Sequence, residues 1–114
     1  MTTRLVQLLE QGQSAWLDNL QRGYLTSGHL QSLIDDGVRG LTSNPTIFQK
    51  AIQQSTDYDQ QFAHLLSQSH SVVDAYWQMV IDDISAAADL FYPVFESSGG
   101  IDGYVSVEVD PHLA

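Results

Sequence analysis

Gly103-Tyr-Val-Ser-Val-Glu-Val109 is the stretch that decides the fold, because it alternates strictly and contains no helical pattern. Tyr104, Ser106 and Glu108 fall on one face of the predicted strand, and three valines fall on the other. An apolar face of this kind suits a strand covered by helices. The opposite face, which carries the polar residues, would then look into a barrel or a cleft.

Helical and extended patterns alternate in the hundred residues before this strand. Helical spacing of apolar residues predicts helices over 3–11, 28–36, 45–52, 57–68 and 71–96. The run 40–43 reads as extended, whereas the apolar run 14–18 is too short to separate strand from helix by its period alone. The order helix, strand, helix, strand, helices, strand is typical of an α/β fold with parallel strands.

Local end signals support several of these helices. Asn44 is a strong N-cap, and Pro45 fits the first helical position, where its missing N–H is no loss. Ser27 is predicted to cap the helix that ends before Gly37, and Gly12 is predicted to stop the first helix.

Composition excludes several classes of protein. The 114 residues include 14 acidic and 4 basic side chains and no cysteine, with a formal net charge of −10. So few cations cannot neutralise a run of phosphates, which argues against nucleic-acid binding and against anionic membranes. Disulfides, thiolate metal sites and a cysteine nucleophile are excluded. With no signal peptide and no apolar stretch of about 18 residues, a soluble cytoplasmic protein is expected.

Three polar residues at predicted strand ends are the candidate site: Asp18, Asn44 and Glu108. The carboxyl ends of parallel strands are where α/β folds build their sites. A carboxylate there can move protons, and an amide can hold a substrate oxygen. Each has an ordinary alternative, since Asp18 fits a turn and Asn44 fits an N-cap. Glu108 is the least ordinary of the three, because a carboxylate inside a β-rich strand needs a reason.

The other ionisable residues carry no comparable signal. The histidines show no metal-ligand spacing, so no metal site is predicted. Lys50, the only lysine, is expected on a helix surface rather than in the desolvated pocket that an imine-forming lysine needs. Solvated helix faces or ends are predicted for Asp35, Asp36, Asp82, Asp83 and Asp89.

Two motifs resemble the transaldolase family closely. They are Gly40-Leu-Thr-Ser-Asn-Pro-Thr-Ile-Phe48 and Asp102-Gly-Tyr-Val-Ser-Val-Glu-Val-Asp-Pro111. Ser14-Ala-Trp-Leu-Asp18 also resembles the first strand of that family. The resemblance covers essentially all 114 residues, and it is strongest to the long bacterial form because a long helical segment separates the second and third motifs. Leu41 is a minor departure, since the family more often has a smaller branched residue there.

The resemblance implies a fold and an activity. The fold would be the N-terminal part of a (β/α)8 TIM-type barrel, with about three parallel strands and covering helices. The activity would be that of a pentose phosphate pathway transferase that uses a lysine Schiff base and no metal or organic cofactor. It moves a dihydroxyacetone unit from sedoheptulose 7-phosphate to glyceraldehyde 3-phosphate. By position, Asp18 matches the acid/base, Asn44 the residue that holds substrate hydroxyls, and Glu108 the carboxylate that positions water.

The family's Schiff-base lysine has no counterpart in this sequence. It lies on the strand after the one that ends at Glu108, and Lys50 does not match it. Residues 1–114 are therefore expected to be a partial barrel domain that is inactive alone. Sugar phosphates would be its ligands in the complete enzyme, and a C-terminal transaldolase segment would be its partner.

Two alternatives remain open at the level of sequence. A non-catalytic half-barrel could stand alone or bind a partner. A different Schiff-base aldolase of the same fold is disfavoured, because its close relatives usually lack the long helical insertion.

Overall fold

The computed structural model describes residues 3–109, which form three strands and six helices. In chain order they are α1 Arg4–Glu10, β1 Ala15–Leu17, α2 Arg22–Thr26, α3 His29–Asp36, β2 Val38–Ser43, α4 Pro45–Gln54, α5 Asp59–Ser67, α6 Val72–Ser97 and β3 Tyr104–Val107. None of the helices within this described part is long and apolar enough to cross a membrane.

The three strands form one parallel sheet in the order β1-β2-β3. Leu17 of β1 is in register with Leu41 of β2, and Leu41 is in register with Val105 of β3. Helices connect the strands, because parallel neighbours require a crossover that a tight turn cannot supply. The predicted α/β arrangement with three parallel strands is confirmed, and it is consistent with part of a TIM-type barrel.

Short-range capping signals set several of the helix ends. The Asn44 side chain accepts a hydrogen bond from the Ile47 N–H, and the Ser71 side chain accepts one from the Asp74 N–H. Both bonds satisfy an N–H that the helix itself leaves unpaired. Gly12 follows α1 with a φ of +81°, the left-handed conformation that favours glycine after a helix.

Two features of the α2–α3 region differ from the sequence-based expectation. Helix α2 was not predicted, because its five residues include Gly23 and carry no capping signal. The N-cap of α3 is Gly28 rather than Ser27, since Ser27 already ends α2. The Ser27 hydroxyl nevertheless accepts a hydrogen bond from the His29 N–H at 3.3 Å.

The main core lies between one face of the sheet and the helices packed on it. Leu41 at the centre of β2 and Phe91 of α6 are fully buried there. Leu17 and Val105 pack against the same cluster from the two outer strands. A smaller cluster joins α4, α5 and α6; its buried members are Ala51, Tyr58, Leu65, Ala75 and Met79.

The predicted extent and burial of the third strand are corrected by the structure. The strand spans Tyr104–Val107 rather than 103–109, and only Val105 of the three valines packs against the core. Val107 and Val109 are 39% and 45% exposed. The reason is that α6 reaches β3 at its beginning: a Cβ on Gly103 would lie 2.4 Å from the Phe95 nitrogen. Pro111, expected to end the strand, lies outside the described residues.

Asp83 is the second correction. It was expected on a solvated helix face, yet it is 2% exposed. An ion pair with Arg22 and a hydrogen bond from Tyr58 compensate for its burial. Asp35, Asp36, Asp82 and Asp89 are exposed, as predicted.

Candidate active site

Each of the three predicted site residues directly follows the C-terminal end of a parallel strand. Asp18 follows β1, Asn44 follows β2, and Glu108 follows β3. Because the strands are parallel and adjacent, all three residues lie at one edge of the sheet.

Strand register also places these residues on one face of the sheet. Leu17 pairs with Leu41, so Asp18 lies beside Thr42, which in turn pairs with Ser106. Asn44 and Glu108 come two residues after Thr42 and Ser106, and residues two apart on a strand share a face. The register thus puts all three residues at adjacent strand ends, on the face opposite the main core.

The Asp18 carboxylate is exposed and is held by the neighbouring strand. Its Oδ1 accepts a hydrogen bond of 2.6 Å from Oγ1 of Thr42. Sequence reasoning did not single out Thr42. Its position within the Thr-Ser-Asn-Pro run, one register step from the end of β2, is the signal that could have identified it.

Asn44 serves as the N-cap of α4 and is half-buried. Its Oδ1 accepts a hydrogen bond of 2.9 Å from the Ile47 N–H, which fixes the orientation of the amide plane. This bond uses the side-chain oxygen, whereas the Nδ2 group of an Asn carries two further N–H donors. The ordinary capping role and a role in holding a substrate oxygen are therefore compatible.

The Glu108 side chain is exposed at the end of β3. Its backbone N–H donates a hydrogen bond of 2.9 Å to the Ser43 carbonyl and so extends the β2–β3 ladder by one residue. The Glu108 backbone is thus hydrogen-bonded to Ser43, the residue that precedes Asn44.

The same face of the sheet carries two large aromatic side chains farther from this edge. Trp16 and Tyr104 both lie in register with Gly40, and they are 41% and 46% exposed. A Cβ on Gly40 would come within 2.3 Å of Trp16 Cε2, so the indole ring lies directly against the Gly40 backbone. Trp16 therefore gives this face an apolar part beside its polar edge, whereas the Tyr104 ring packs edge-on against Phe95 of α6.

Lys50 is exposed on α4, as the sequence predicted. Within residues 3–109, no group of three or more histidine, aspartate or glutamate side chains is arranged to hold a metal ion. The buried group formed by Arg22, Tyr58 and Asp83, which sequence reasoning missed, packs between helices.

Burial raises the pKa of two tyrosines. For Tyr58, burial has the largest effect, and the hydrogen bond to the Asp83 carboxylate raises the pKa further. Burial alone raises the pKa of Tyr76. Both phenols therefore hold their protons more tightly than a tyrosine in water does.

Comparison with known proteins gives a consistent result. The family model described as "Transaldolase/Fructose-6-phosphate aldolase" matches residues 15–114. This chain is 44% identical to a transaldolase from Trichodesmium erythraeum and 49% identical to one from Kocuria rhizophila. It is 48% identical to transaldolase 2 of Streptomyces coelicolor. All three alignments include 100% of this chain, which spans 30–31% of the length of these relatives.

Proposed function

Since this chain belongs to the transaldolase/fructose-6-phosphate aldolase family, we propose that it forms the proton-transfer and hydroxyl-binding part of a transaldolase active site. The proposed reaction moves a dihydroxyacetone unit from sedoheptulose 7-phosphate to glyceraldehyde 3-phosphate through a lysine Schiff base. Its proposed setting is the pentose phosphate pathway in the cytoplasm. The observation that carries the proposal is the placement of Asp18, Asn44 and Glu108 at adjacent strand ends on one face.

In this proposal Asp18 removes the proton from the C4 hydroxyl as the carbon–carbon bond breaks, and returns it in the reverse direction. Its neighbour across the sheet, Thr42, holds one carboxylate oxygen, which leaves the other to face the substrate. A proton acceptor contributes only if its reactive atom is within hydrogen-bond reach, so this orientation matters as much as basicity.

Asn44 and Glu108 have complementary proposed roles. The capping bond to α4 fixes the Asn44 amide, so its N–H donors can hold a substrate hydroxyl without reorganising. Glu108, one strand away, would position the water molecule that is released when the imine forms and consumed when it is hydrolysed. Both roles use side chains at strand ends, where the backbone is held by the ladder.

The imine requires a lysine that this chain does not supply at the site. Its only lysine, Lys50, is exposed on α4 and lacks the desolvated pocket that an imine-forming lysine needs. We therefore propose that these 114 residues alone neither retain a dihydroxyacetone unit nor transfer it. Borohydride reduction in the presence of fructose 6-phosphate should leave Lys50 unlabelled, and labelling accompanied by turnover would contradict this.

A chimera tests the proposed roles directly. Residues 1–114 would replace the aligned segment of the Kocuria rhizophila transaldolase, to which they are 49% identical. The chimera should catalyse the transfer, and Asp18→Asn should lower kcat by about 10²-fold or more, the usual contribution of a general acid/base. Lys50→Arg is the control and should leave kcat unchanged.

Two outcomes would overturn the proposal. A folded chimera without activity would show that this segment cannot serve a transaldolase site. An Asp18→Asn chimera with the kcat of its parent would show that Asp18 is not the acid/base.

A further inference from the structure

Helix α2 begins without a cap from its own N-cap residue. Gln21 makes no side-chain capping bond. The hydroxyl of Tyr58, 36 residues later in the chain, accepts a hydrogen bond of 2.9 Å from the Arg22 N–H instead. The first N–H groups of a helix need acceptors from outside the helix. The start of α2 is therefore fixed by a side chain that lies just before α5.

The same hydroxyl group connects α2 to α6 through a buried carboxylate. Tyr58 donates a hydrogen bond of 2.5 Å to Asp83 Oδ2, and Arg22 Nε donates one of 2.8 Å to Asp83 Oδ1. The Arg22 guanidinium also lies 4.4 Å from the centre of the Tyr58 ring. Both the backbone and the side chain of Arg22 are thus held, and each carboxylate oxygen of Asp83 has a partner.

This three-residue cluster lies at the end of the segment that carries Asp18. Residues 18–21 join β1 to α2, so Arg22 is four residues from Asp18. Leu20 in the middle of the segment is fully buried and adds an apolar anchor. The hydrogen bond from Thr42 holds the beginning of the segment, and the cluster holds its end.

We propose that Arg22, Tyr58 and Asp83 are positioning residues, which set the path of residues 18–21 and through it the direction of the Asp18 carboxylate. The inference rests on the proposed role of Asp18, but the arrangement is a property of this chain. A short connection that is held at both ends has few conformations. A displacement of the Arg22 backbone therefore also changes the direction of the Asp18 side chain.

Tyr58→Phe in the complete 114-residue chain is the sharpest test. It keeps the ring and its contact with Arg22, and it removes the oxygen that accepts from the Arg22 N–H and donates to Asp83, while the Arg22–Asp83 ion pair stays. We expect the Arg22 amide to exchange its hydrogen at least about 10-fold faster relative to the β2 amides, as loss of a buried acceptor implies. The carboxyl ¹³C resonance of Asp18 should also shift.

Tyr76→Phe is the matched control, because it makes the same chemical change in another tyrosine that packs against the core. It should leave the Arg22 amide exchange and the Asp18 resonance unchanged. Asp83→Asn is a second variant of nearly identical shape, and it should reproduce the direction of both Tyr58→Phe effects.

The result separates positioning from general stabilisation. Equal acceleration at Arg22 and in β2, or no acceleration at Arg22, would overturn the proposal, as would an unmoved Asp18 resonance. These measurements use no substrate. An inactive chimera would therefore count against the proposed function alone, and unchanged exchange in Tyr58→Phe would count against positioning alone.

Discussion

Thr42 Oγ1 donates a hydrogen bond of 2.6 Å to Asp18 Oδ1, so the residue that follows β1 is held by the neighbouring strand. The two residues are 24 positions apart in the chain and come together because β1 and β2 are parallel and in register. The bond fixes one carboxylate oxygen of Asp18, whose side chain is exposed.

Thr42→Val should lower the kcat of the chimera. The substitution keeps the branched shape and removes the hydroxyl group, so Asp18 loses the bond that orients it. Hydrogen bonds to charged groups contribute about 1.5–3 kcal/mol, which corresponds to a decrease of about 10- to 100-fold if the bond is fully used in the reaction. Steady-state kinetics would measure it.

Thr42→Ser is the control for that experiment, because it retains the hydroxyl group and removes only a methyl group. Its kcat should stay within about 3-fold of the parent value, because the change in activation free energy is smaller than the contribution of one hydrogen bond to a charged group. If the valine and serine variants lost activity equally, the methyl group and not the hydrogen bond would be the important feature of Thr42.

Gly40→Ala should destabilise the chain. The new Cβ would lie 2.3 Å from Trp16 Cε2, so the indole ring has to move. Overpacking of this kind costs about 1–3 kcal/mol in the free energy of unfolding. Urea unfolding followed by tryptophan fluorescence would measure the loss.

Gly23→Ala provides the comparison for Gly40→Ala. Its nearest neighbour would be the Asp57 Oδ2 atom at 3.3 Å, at the end of a flexible side chain, and Gly23 lies in a helix that favours alanine. This variant should be at least as stable as the parent. Equal stability of the two alanine variants would show that the Trp16 indole ring does not need a glycine at position 40.

The free energy of unfolding should fall in alkaline solution because of Tyr58. Burial, followed by the hydrogen bond to Asp83, raises the pKa of Tyr58 above its ordinary value of 10.0. The stability that comes from this raised pKa is complete below pH 10 and is lost as pH rises above 10, where the unfolded chain ionises first. The free energy of unfolding should fall more steeply in the parent than in Tyr58→Phe, by up to about 1.4 kcal/mol per pH unit.

Urea unfolding at a series of alkaline pH values would compare the two slopes. Burial raises the pKa of Tyr76 as well, but Tyr76 is present in both proteins, so the difference in slope isolates Tyr58. The groups that face Tyr58 are the Asp83 carboxylate and the Arg22 guanidinium, and both are present in the two proteins. Parallel slopes would contradict the prediction.

The sheet edges should make the isolated chain associate. Within residues 3–109, β2 has a partner on both sides, whereas β1 and β3 each have one. Unpaired backbone groups on an edge strand favour pairing with another chain. Sedimentation velocity should show a mean mass that increases with concentration, and Val107→Lys on β3 should reduce the increase.

Val73→Lys is the control for charge alone. Val73 is 63% exposed at the start of α6, so the same substitution there adds the same charge away from the sheet edge. It should leave association nearly unchanged. A parent chain that remains monomeric at every concentration would rule out edge pairing.

The sequence alone determined the features that depend on residues close together in the chain. The Asn44-Pro45 pair starts α4, Ser71 starts α6, and the alternating run around Val105 forms a strand, as predicted. A cap forms with an N–H only three residues away, so a short stretch contains everything that decides it. The order of these elements was enough to predict the parallel α/β sheet and the placement of three polar residues at its strand ends.

Only the tertiary structure decided which side chains are buried and which are held. Asp83 lies on a helix whose sequence allows it to face water, and it is buried because Arg22 and Tyr58 approach from 61 and 25 positions away. Val107 belongs to an apolar face and is exposed because α6 packs at the other end of β3. Burying a charge or exposing a valine depends on partners distant in the chain, and neither local propensity nor periodicity contains that information.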